Sequence, residues 1–229
     1  MKRSQNLLGI GIYTIPEAAR LTDVSAPRIR RWLLGYQFRT KKEVHESPPV
    51  WKPDLPELEG ALALTFRDLL EVRFVEYFLQ KGVSWKVLRE AAVYAGHIVR
   101  SGHPFSTFKF KTDGKRIFAD FIEERRRVLL ELSARQYSMP PIVDSYLYEG
   151  IEFEGDNPAR WFPMGRNHAV VIDPSVGFGQ PTANPEGVPT AILANAFKVE
   201  RSIERVARWY QVPASTVESA VEYERKLAA

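Results

Sequence analysis

The sequence predicts an α+β fold that is mainly helical, with helices at both ends and a small β-rich middle. Three observations predict it. Hydroxyl caps followed by apolar residues at helical spacing cluster between Tyr13 and Ala95 and again from Ala191 onward. Between Phe108 and Phe121 apolar and polar residues alternate with period two. Turn formers at Asp113-Gly114, Met139-Pro140-Pro141 and Gly150 then cut the middle into short segments. At 229 residues, 45% apolar and 26% charged, the chain has the composition of a globular protein, which excludes disordered and collagen-like classes. The absence of cysteine removes disulfide frameworks, thiolate metal sites and a cysteine nucleophile, and fits a reducing compartment. No apolar run approaches the ~20 residues of a membrane helix, so neither anchor nor targeting segment is expected and the expected localisation is cytoplasmic.

The first helical element opens at Thr14, a hydroxyl cap with Glu17 as its capping-box partner and Pro16 in the first turn. Thr22-Asp23 ends it, and Ser25 caps a second helix that tolerates Pro27 in its first turn. Ile29, Trp32 and Leu33 form the buried stripe of that helix, while Arg28, Arg30 and Arg31 project away from it. An arginine fork can grip phosphates or bind guanine O6 and N7 together, and the start of a recognition helix is the part that reaches base edges. Charge distribution agrees: residues 1–42 carry nine basic and two acidic residues, whereas the whole chain is only +4. Arg39, Lys41 and Lys42 follow as a basic stretch suited to backbone contact. Further on, Thr65 opens a helix to Lys81, Gly82-Val83 stops it, and Ser84 caps another over Trp85 to Ala95.

The middle is expected to be a hairpin, Phe108 and Phe110 alternating with Lys109 and Lys111, then Ile117, Ala119 and Phe121 beyond the Asp113-Gly114 turn. Val128 to Leu132, Tyr146 to Tyr148 and Ile151 to Phe153 are further strand candidates. Near the C-terminus Ala207, Val212 and Val217 repeat the spacing of Ala19, Val24 and Ile29, which predicts a second helix-turn-helix. Its second helix carries Glu218, Glu222 and Glu224, a charge order that repels phosphate and suits a protein partner. Trp209, Tyr210 and Tyr223 are the candidate residues for a partner or dimer interface.

The segment Tyr-Thr-Ile-x-Glu-x-Ala-x-Leu-Thr-x-Val-Ser from Tyr13, with Ile29-Arg30 and Trp32, resembles the DNA-binding start of the MerR regulators. Two departures are Arg28 and Arg31, where that family usually carries Thr and an aromatic residue, and a long wing segment containing Pro48, Pro49, Pro53 and Pro56. The combination Val-Ile-Asp-Pro, Phe-Gly-x-Pro and Gly-Val-Pro-Thr between Val171 and Thr190, closed by three helices, resembles the C-terminal domain of a subgroup of VapB-type antitoxins. The resemblance implies three regions: a winged helix-turn-helix at 1–96, a β-rich connecting scaffold at 97–165, and a helical antitoxin and dimerisation domain at 166–229. It implies an antitoxin that represses its own operon and neutralises a PIN-like ribonuclease toxin; joined to the charge and helical phase read above, the expectation is a homodimer that binds double-stranded operator DNA through Ser25, Arg28, Arg30, Arg31, Arg39, Lys41 and Lys42. The alternative is a MerR-like regulator that senses a small molecule through the aromatic residues of the middle region, without a toxin. A third reading is a scaffold that uses both helix-turn-helix units for protein contacts.

Enzymatic chemistry is not expected. Gly177-x-Gly179 and Gly9-x-Gly11 lack the third glycine of a dinucleotide fingerprint, no Walker pattern occurs, and the four histidines form no i, i+4 pair with an adjacent glutamate. Glu152, Glu154 and Asp156 alternate beside a candidate strand and read as a solvated face. No cofactor and no metal are therefore expected.

Overall fold

In the computed structural model, residues 9–39, 43–57, 60–129 and 145–228 are described. They form an α+β fold with eight α-helices and small sheets, divided into two compact units. One unit comprises the described parts of residues 14–148 with 155–157, and the other the described residues up to 13, 149–154 and 158–228.

In the first unit, strand β1 (Tyr13–Thr14) leads into α1 (Ile15–Thr22) and α2 (Ala26–Leu34). The expected capping box is present, the Thr14 hydroxyl accepting from the Glu17 N–H at 3.3 Å and Glu17 Oε2 accepting from the Thr14 N–H at 2.8 Å. Asp23 ends α1 in the left-handed region (φ 56°), a conformation that a short polar side chain tolerates. A hairpin of β2 (Tyr36–Arg39) and β3 (Val44–Ser47) follows, then β4 (Ala63–Leu64), α3 (Phe66–Gln80) and α4 (Trp85–Val99). The core of the unit is α3, which buries Phe66, Leu69, Leu70, Val72, Phe74, Val75 and Phe78 together with Asp68, Glu71 and Glu76, and so lies covered nearly all round.

The middle region departs from expectation. Phe108 to Leu129 is one helix, α5, and no hairpin turns at Asp113-Gly114. Its apolar residues satisfy both periods over a few positions, and the longer helical period wins: Phe110, Ile117, Phe118 and Phe121 are buried on one face, whereas Ala119, which a strand would turn inward, is exposed. The start is fixed by caps, with the Thr107 hydroxyl accepting from the Phe110 N–H at 3.0 Å and Asp156 accepting from the N–H groups of Phe108 and Lys109. Gly114 sits under the Phe110 ring, which a Cβ would meet at 2.9 Å. The rings of Phe78, Phe105, Phe110 and Phe118 pack on one another with centroids 5.0 to 6.5 Å apart, so the aromatic residues that a sensor would need for a pocket are core. Of the other strand candidates, Tyr146 to Tyr148 lies in a 3₁₀ turn (Ser145–Tyr148), Val128 and Leu129 belong to α5, and the rest of that segment lies outside the described residues. Ile151 to Phe153 is a strand as expected.

The second unit holds a four-stranded sheet, β5 (Ile151–Glu154), β6 (Asn157–Trp161), β7 (Val170–Ile172) and β8 (Pro181–Ala183), in the order β5-β6-β7-β8. β7 is antiparallel to β6 and β8, with Val170 opposite Ala183 and Ile172 opposite Pro181. Three helices close the unit: α6 (Thr190–Glu200), α7 (Ile203–Tyr210) and α8 (Ala214–Leu227). Leu193, Ala194, Val206, Ala207, Val212, Val217, Ala220 and Val221 form their shared core, and the Thr190 hydroxyl donates to Glu224 Oε1 at 2.6 Å, tying the start of α6 to α8.

Helix α7, its turn and the start of α8 repeat the backbone frame of α1, its turn and α2. α1 and α7 both have eight residues and a hydroxyl cap, Thr14 and Ser202. Both end on a left-handed residue, Asp23 and Gln211, whose N–H donates to Ala19 and Ala207 respectively. The next N–H, of Val24 or Val212, donates to the same carbonyl at 3.2 and 3.0 Å. The repeated Ala, Val, Ile/Val spacing in the sequence is the trace of this turn.

Candidate nucleic-acid interface

Helix α2 buries Ile29, Trp32 and Leu33 and exposes the opposite side. Its three arginines have different surroundings. Arg28 is held by Glu76 of α3 through two contacts, at 2.9 and 2.7 Å, and its guanidinium lies 5.2 Å from the centre of the Trp32 ring. It is oriented against its own unit, although its side chain remains partly exposed. The guanidinium of Arg31 stacks over Tyr36 at 5.6 Å. Arg30 is exposed and makes no ion pair among the described residues. Ser25 stands at the cap position without a side-chain cap bond; its carbonyl, at 2.9 and 3.1 Å, accepts the N–H groups of Arg28 and Ile29 instead. The expected hydroxyl cap of α2 is therefore absent, and the exposed Ser25 Oγ makes no bond to the helix it precedes.

The β2–β3 hairpin is joined to α2 by Gly35, whose φ of +71° and tight surroundings require glycine: a Cβ would lie 2.4 Å from the Ser47 carbonyl oxygen. Register pairs Tyr36 with Ser47 and Phe38 with His45 on one face, and Gln37 with Glu46 and Arg39 with Val44 on the other. The base of the hairpin is anchored, because the buried Ser47 hydroxyl accepts from Trp85 Nε1 at 3.2 Å and Arg89 at 3.0 Å, and Trp85 stacks on Trp32 with centroids 6.0 Å apart. Towards the tip, Arg39 is exposed; Lys41 and Lys42 lie outside the described residues.

The same unit holds a buried polar cluster that sequence reading missed. Asp68, the capping-box partner of Thr65, accepts from the Thr65 N–H at 2.9 Å, from Trp51 Nε1 at 2.8 Å and shares a 2.7 Å bond with His103 Nε2. One turn later, Glu71 accepts from the N–H groups of Phe105 and Ser106 at 3.1 and 3.0 Å. The two carboxylates thus clamp the segment before α5 onto α3. Burial opposes ionisation of Asp68, but the His103 bond and charge and the Thr65 and Trp51 donors outweigh it and hold its carboxyl below the usual range. For Glu71 burial prevails over His103 and the two N–H donors, pushing it up to about 7. Burial also works against the charged form of His103, yet the Asp68 bond and the charges of Glu71, Asp68 and Asp54 raise its pKa. Asp54, Asp68 and His103 bring metal-ligating atoms within 4.8 Å of one another. Both Asp68 oxygens already accept hydrogen bonds, so these contacts describe a closed clamp, and binding an ion would require giving some of them up. The local signal for it was Thr65-x-x-Asp68; the partners 35 positions away carry no such signal.

In the second unit Trp209 is 61% exposed and Tyr210 37%, whereas Tyr223 is only 3% exposed and lies inside, on the buried side of α8. Of the three interface candidates, the surface therefore offers two. Glu218 and Glu222 are exposed on α8, and Glu224 is bonded to Thr190. Trp209 takes the place that Leu21 holds in α1, where the smaller residue is buried.

No protein-family model matches the chain. Over 226 residues it is 26% identical to a protein of Mycobacterium tuberculosis (strain ATCC 25618 / H37Rv) named "Putative antitoxin VapB45", a similarity that covers 93% of each sequence. Its fold is similar to that of the X-ray crystal structure of Rv2018 from Mycobacterium tuberculosis, with a TM-score of 0.70, 22% identity, and coverage of 93% of this chain and 99% of that one. The likeness extends across both units.

Proposed function

We propose that the chain is a DNA-binding antitoxin of a type II toxin–antitoxin module, which represses its own operon and neutralises a PIN-like ribonuclease toxin. The observation that carries the antitoxin role is the similarity over 93% of both sequences to a protein that bears an antitoxin name. The DNA-binding role is supported by helix α1, the Asp23 turn and α2, followed by the β2–β3 hairpin, in the order of a MerR-like winged helix-turn-helix. Arg30 stands free on the outer face of α2, where it can reach a base edge or phosphate, while Arg31 and Arg39 flank it. Arg28 serves mainly to hold α2 against α3 through Glu76. The protein acts by binding, without catalytic chemistry, as a cytoplasmic homodimer on an inverted-repeat operator. Among the described residues no helix is long and apolar enough to cross a membrane.

The α7–α8 unit supplies the toxin-binding half of this reading. Where α2 presents Arg30 and Arg31, α8 presents Glu218 and Ser219, so the same backbone frame faces outward with the opposite charge. Expression of the small open reading frame adjacent to the gene, alone and with this protein, tests the role. Growth arrest relieved by a stable complex is expected; no toxicity and no complex would refute it. DNA binding is tested separately on the duplex upstream of the gene, where affinity should fall by orders of magnitude between ~50 and ~200 mM salt.

A further inference from the structure

Helix α6 carries two apolar faces, and folding uses one of them. Leu193, Ala194 and Phe197 pack in the core that α6 shares with α7 and α8. Away from that core, Ile192, Asn195, Ala196 and Val199 follow one another at i, i+3, i+4 and i+7, the spacing of a single helical stripe. Ile192 is 45% exposed and Val199 79%, the most open large apolar side chain among the described residues. No charge falls within the stripe. Lys198 and Glu200, the two charged residues of α6, lie to either side of it by helical phase, and Glu200 is held by Arg205 at 3.0 Å. The core of the unit does not require this second line of apolar residues, and its ordered spacing marks a contact surface.

The order of the residues says what covers it. Read from either end the stripe is nearly the same, a branched aliphatic residue at each end with Asn195 and Ala196 between. Two α6 helices laid antiparallel about a twofold axis between positions 195 and 196 set Ile192 of each copy against Val199 of the other. The small Ala196 lets the helices approach, and the two Asn195 carboxamides meet beside the axis, where each can donate to the other. One polar pair in an apolar seam fixes register and orientation. Antiparallel helices also bring opposite dipole ends together, and no charged side chain has to be buried. The geometry points to α6 as a twofold interface between two copies of this chain, formed by Ile192, Asn195, Ala196 and Val199. It deepens the homodimer of the reading above and rests on it. A polyanion does not match a stripe without a cation. One helical stripe buries less than the about 800 Å² per partner of a standard stable interface, so the free dimer is weak. An inverted repeat that holds two copies side by side strengthens it.

The full-length protein is followed by sedimentation equilibrium from micromolar to submillimolar concentration, without DNA. The wild type is expected to pass from monomer to dimer over that range. Val199→Glu, which sets a carboxylate against Ile192 of the second copy, should raise the dissociation constant by about tenfold or more, while Val199→Ile should dimerise like the wild type. A thermal melt of each variant checks folding. Because the chain has no cysteine, Asn195→Cys supplies a single thiol beside the axis, and oxidised glutathione should convert it to a disulfide-linked dimer. Val199→Cys should cross-link poorly by itself and readily when mixed with Ile192→Cys. Dimerisation that Val199→Glu leaves unchanged, with no Asn195→Cys cross-link, overturns the α6 interface and leaves the DNA-binding reading standing. A chain that stays monomeric and does not cross-link overturns both the interface and the homodimer. Loss of a co-purifying protein on Val199→Glu, with dimerisation intact, would assign the stripe to a different partner and overturn the proposal. Cross-linking through Asn195→Cys in a protein whose wild type binds no upstream duplex supports the interface and overturns the DNA-binding reading alone.

Discussion

Glu71→Gln is expected to flatten the pH dependence of folding in the unit of residues 14–148. Glu71 is buried, bonded to two backbone N–H groups, and its carboxyl is raised from 4.5 to about 7. The folded chain therefore holds this proton more tightly than the unfolded one, so the stabilisation is complete below about pH 4.5 and is lost as pH rises towards 7. A shift of that size is worth about 2 to 3 kcal/mol between about pH 5 and about pH 8. His103 acts in the same direction, because its raised folded pKa contributes stability that is present below 6.5 and lost as pH climbs through the raised value. Glutamine has no proton to lose, and it also removes one of the charges that raise His103. Its carbonyl can take one N–H, while its amide faces the other, costing on the order of 1 to 2 kcal/mol at about pH 5. Urea unfolding at both pH values, followed by tryptophan fluorescence because Trp51 is bonded into the same cluster, reads the effect. The wild type should lose stability over the interval and the variant should lose far less, so the gap between them narrows or reverses. A gap that stays constant from about pH 5 to about pH 8 would refute the assignment of a raised Glu71.

Four further substitutions have expected outcomes. Arg30→Ala should lower affinity for the upstream duplex by about 1 to 3 kcal/mol and relax preference at one base pair, measured by competition with single-base variants, while Arg28→Ala should act chiefly on stability through the loss of the Glu76 pair. Gly35→Ala should destabilise the first unit by roughly 2 kcal/mol or more in thermal or urea unfolding, since the added Cβ meets the Ser47 carbonyl at 2.4 Å in a region of φ and ψ reserved for glycine. Trp209→Ala should leave unfolding within about 0.5 kcal/mol of wild type and DNA affinity unchanged, but should reduce capture of the toxin partner in co-purification; unchanged capture would remove Trp209 from that interface.

What the sequence disclosed depended on how local the cause was. The start of α1 was readable because Thr14 and Glu17 satisfy each other within one turn, and the α7–α8 turn because Ala207 and Val212 must be five apart for one carbonyl to take two N–H groups. The helical start of α5 was hidden because Asp156, which caps it, lies 47 positions from Lys109, and because Lys109 and Lys111 between phenylalanines mimic a strand for a few residues. The Asp68, Glu71 and His103 clamp was hidden for the same reason, since its partners meet across separations of 34 and 35. Arg28 shows a subtler limit: helical phase correctly turned it away from the buried stripe of α2, but phase within one helix could not foresee that Glu76 of another would occupy it.

The repeated helix pair separates frame from function most cleanly. Hydroxyl caps, the same pair of turn bonds and the buried Val24 and Val212 fix the backbone of both pairs. Elsewhere the two copies diverge: exposed Arg30 stands where the other copy has exposed Glu218, and buried Leu21 where it has exposed Trp209. Folding requirements account for what the copies share and cannot account for how they differ. On the proposed reading the difference follows from what each face meets, since an arginine face suits a polyanion and an acidic, tryptophan-bearing face suits a protein.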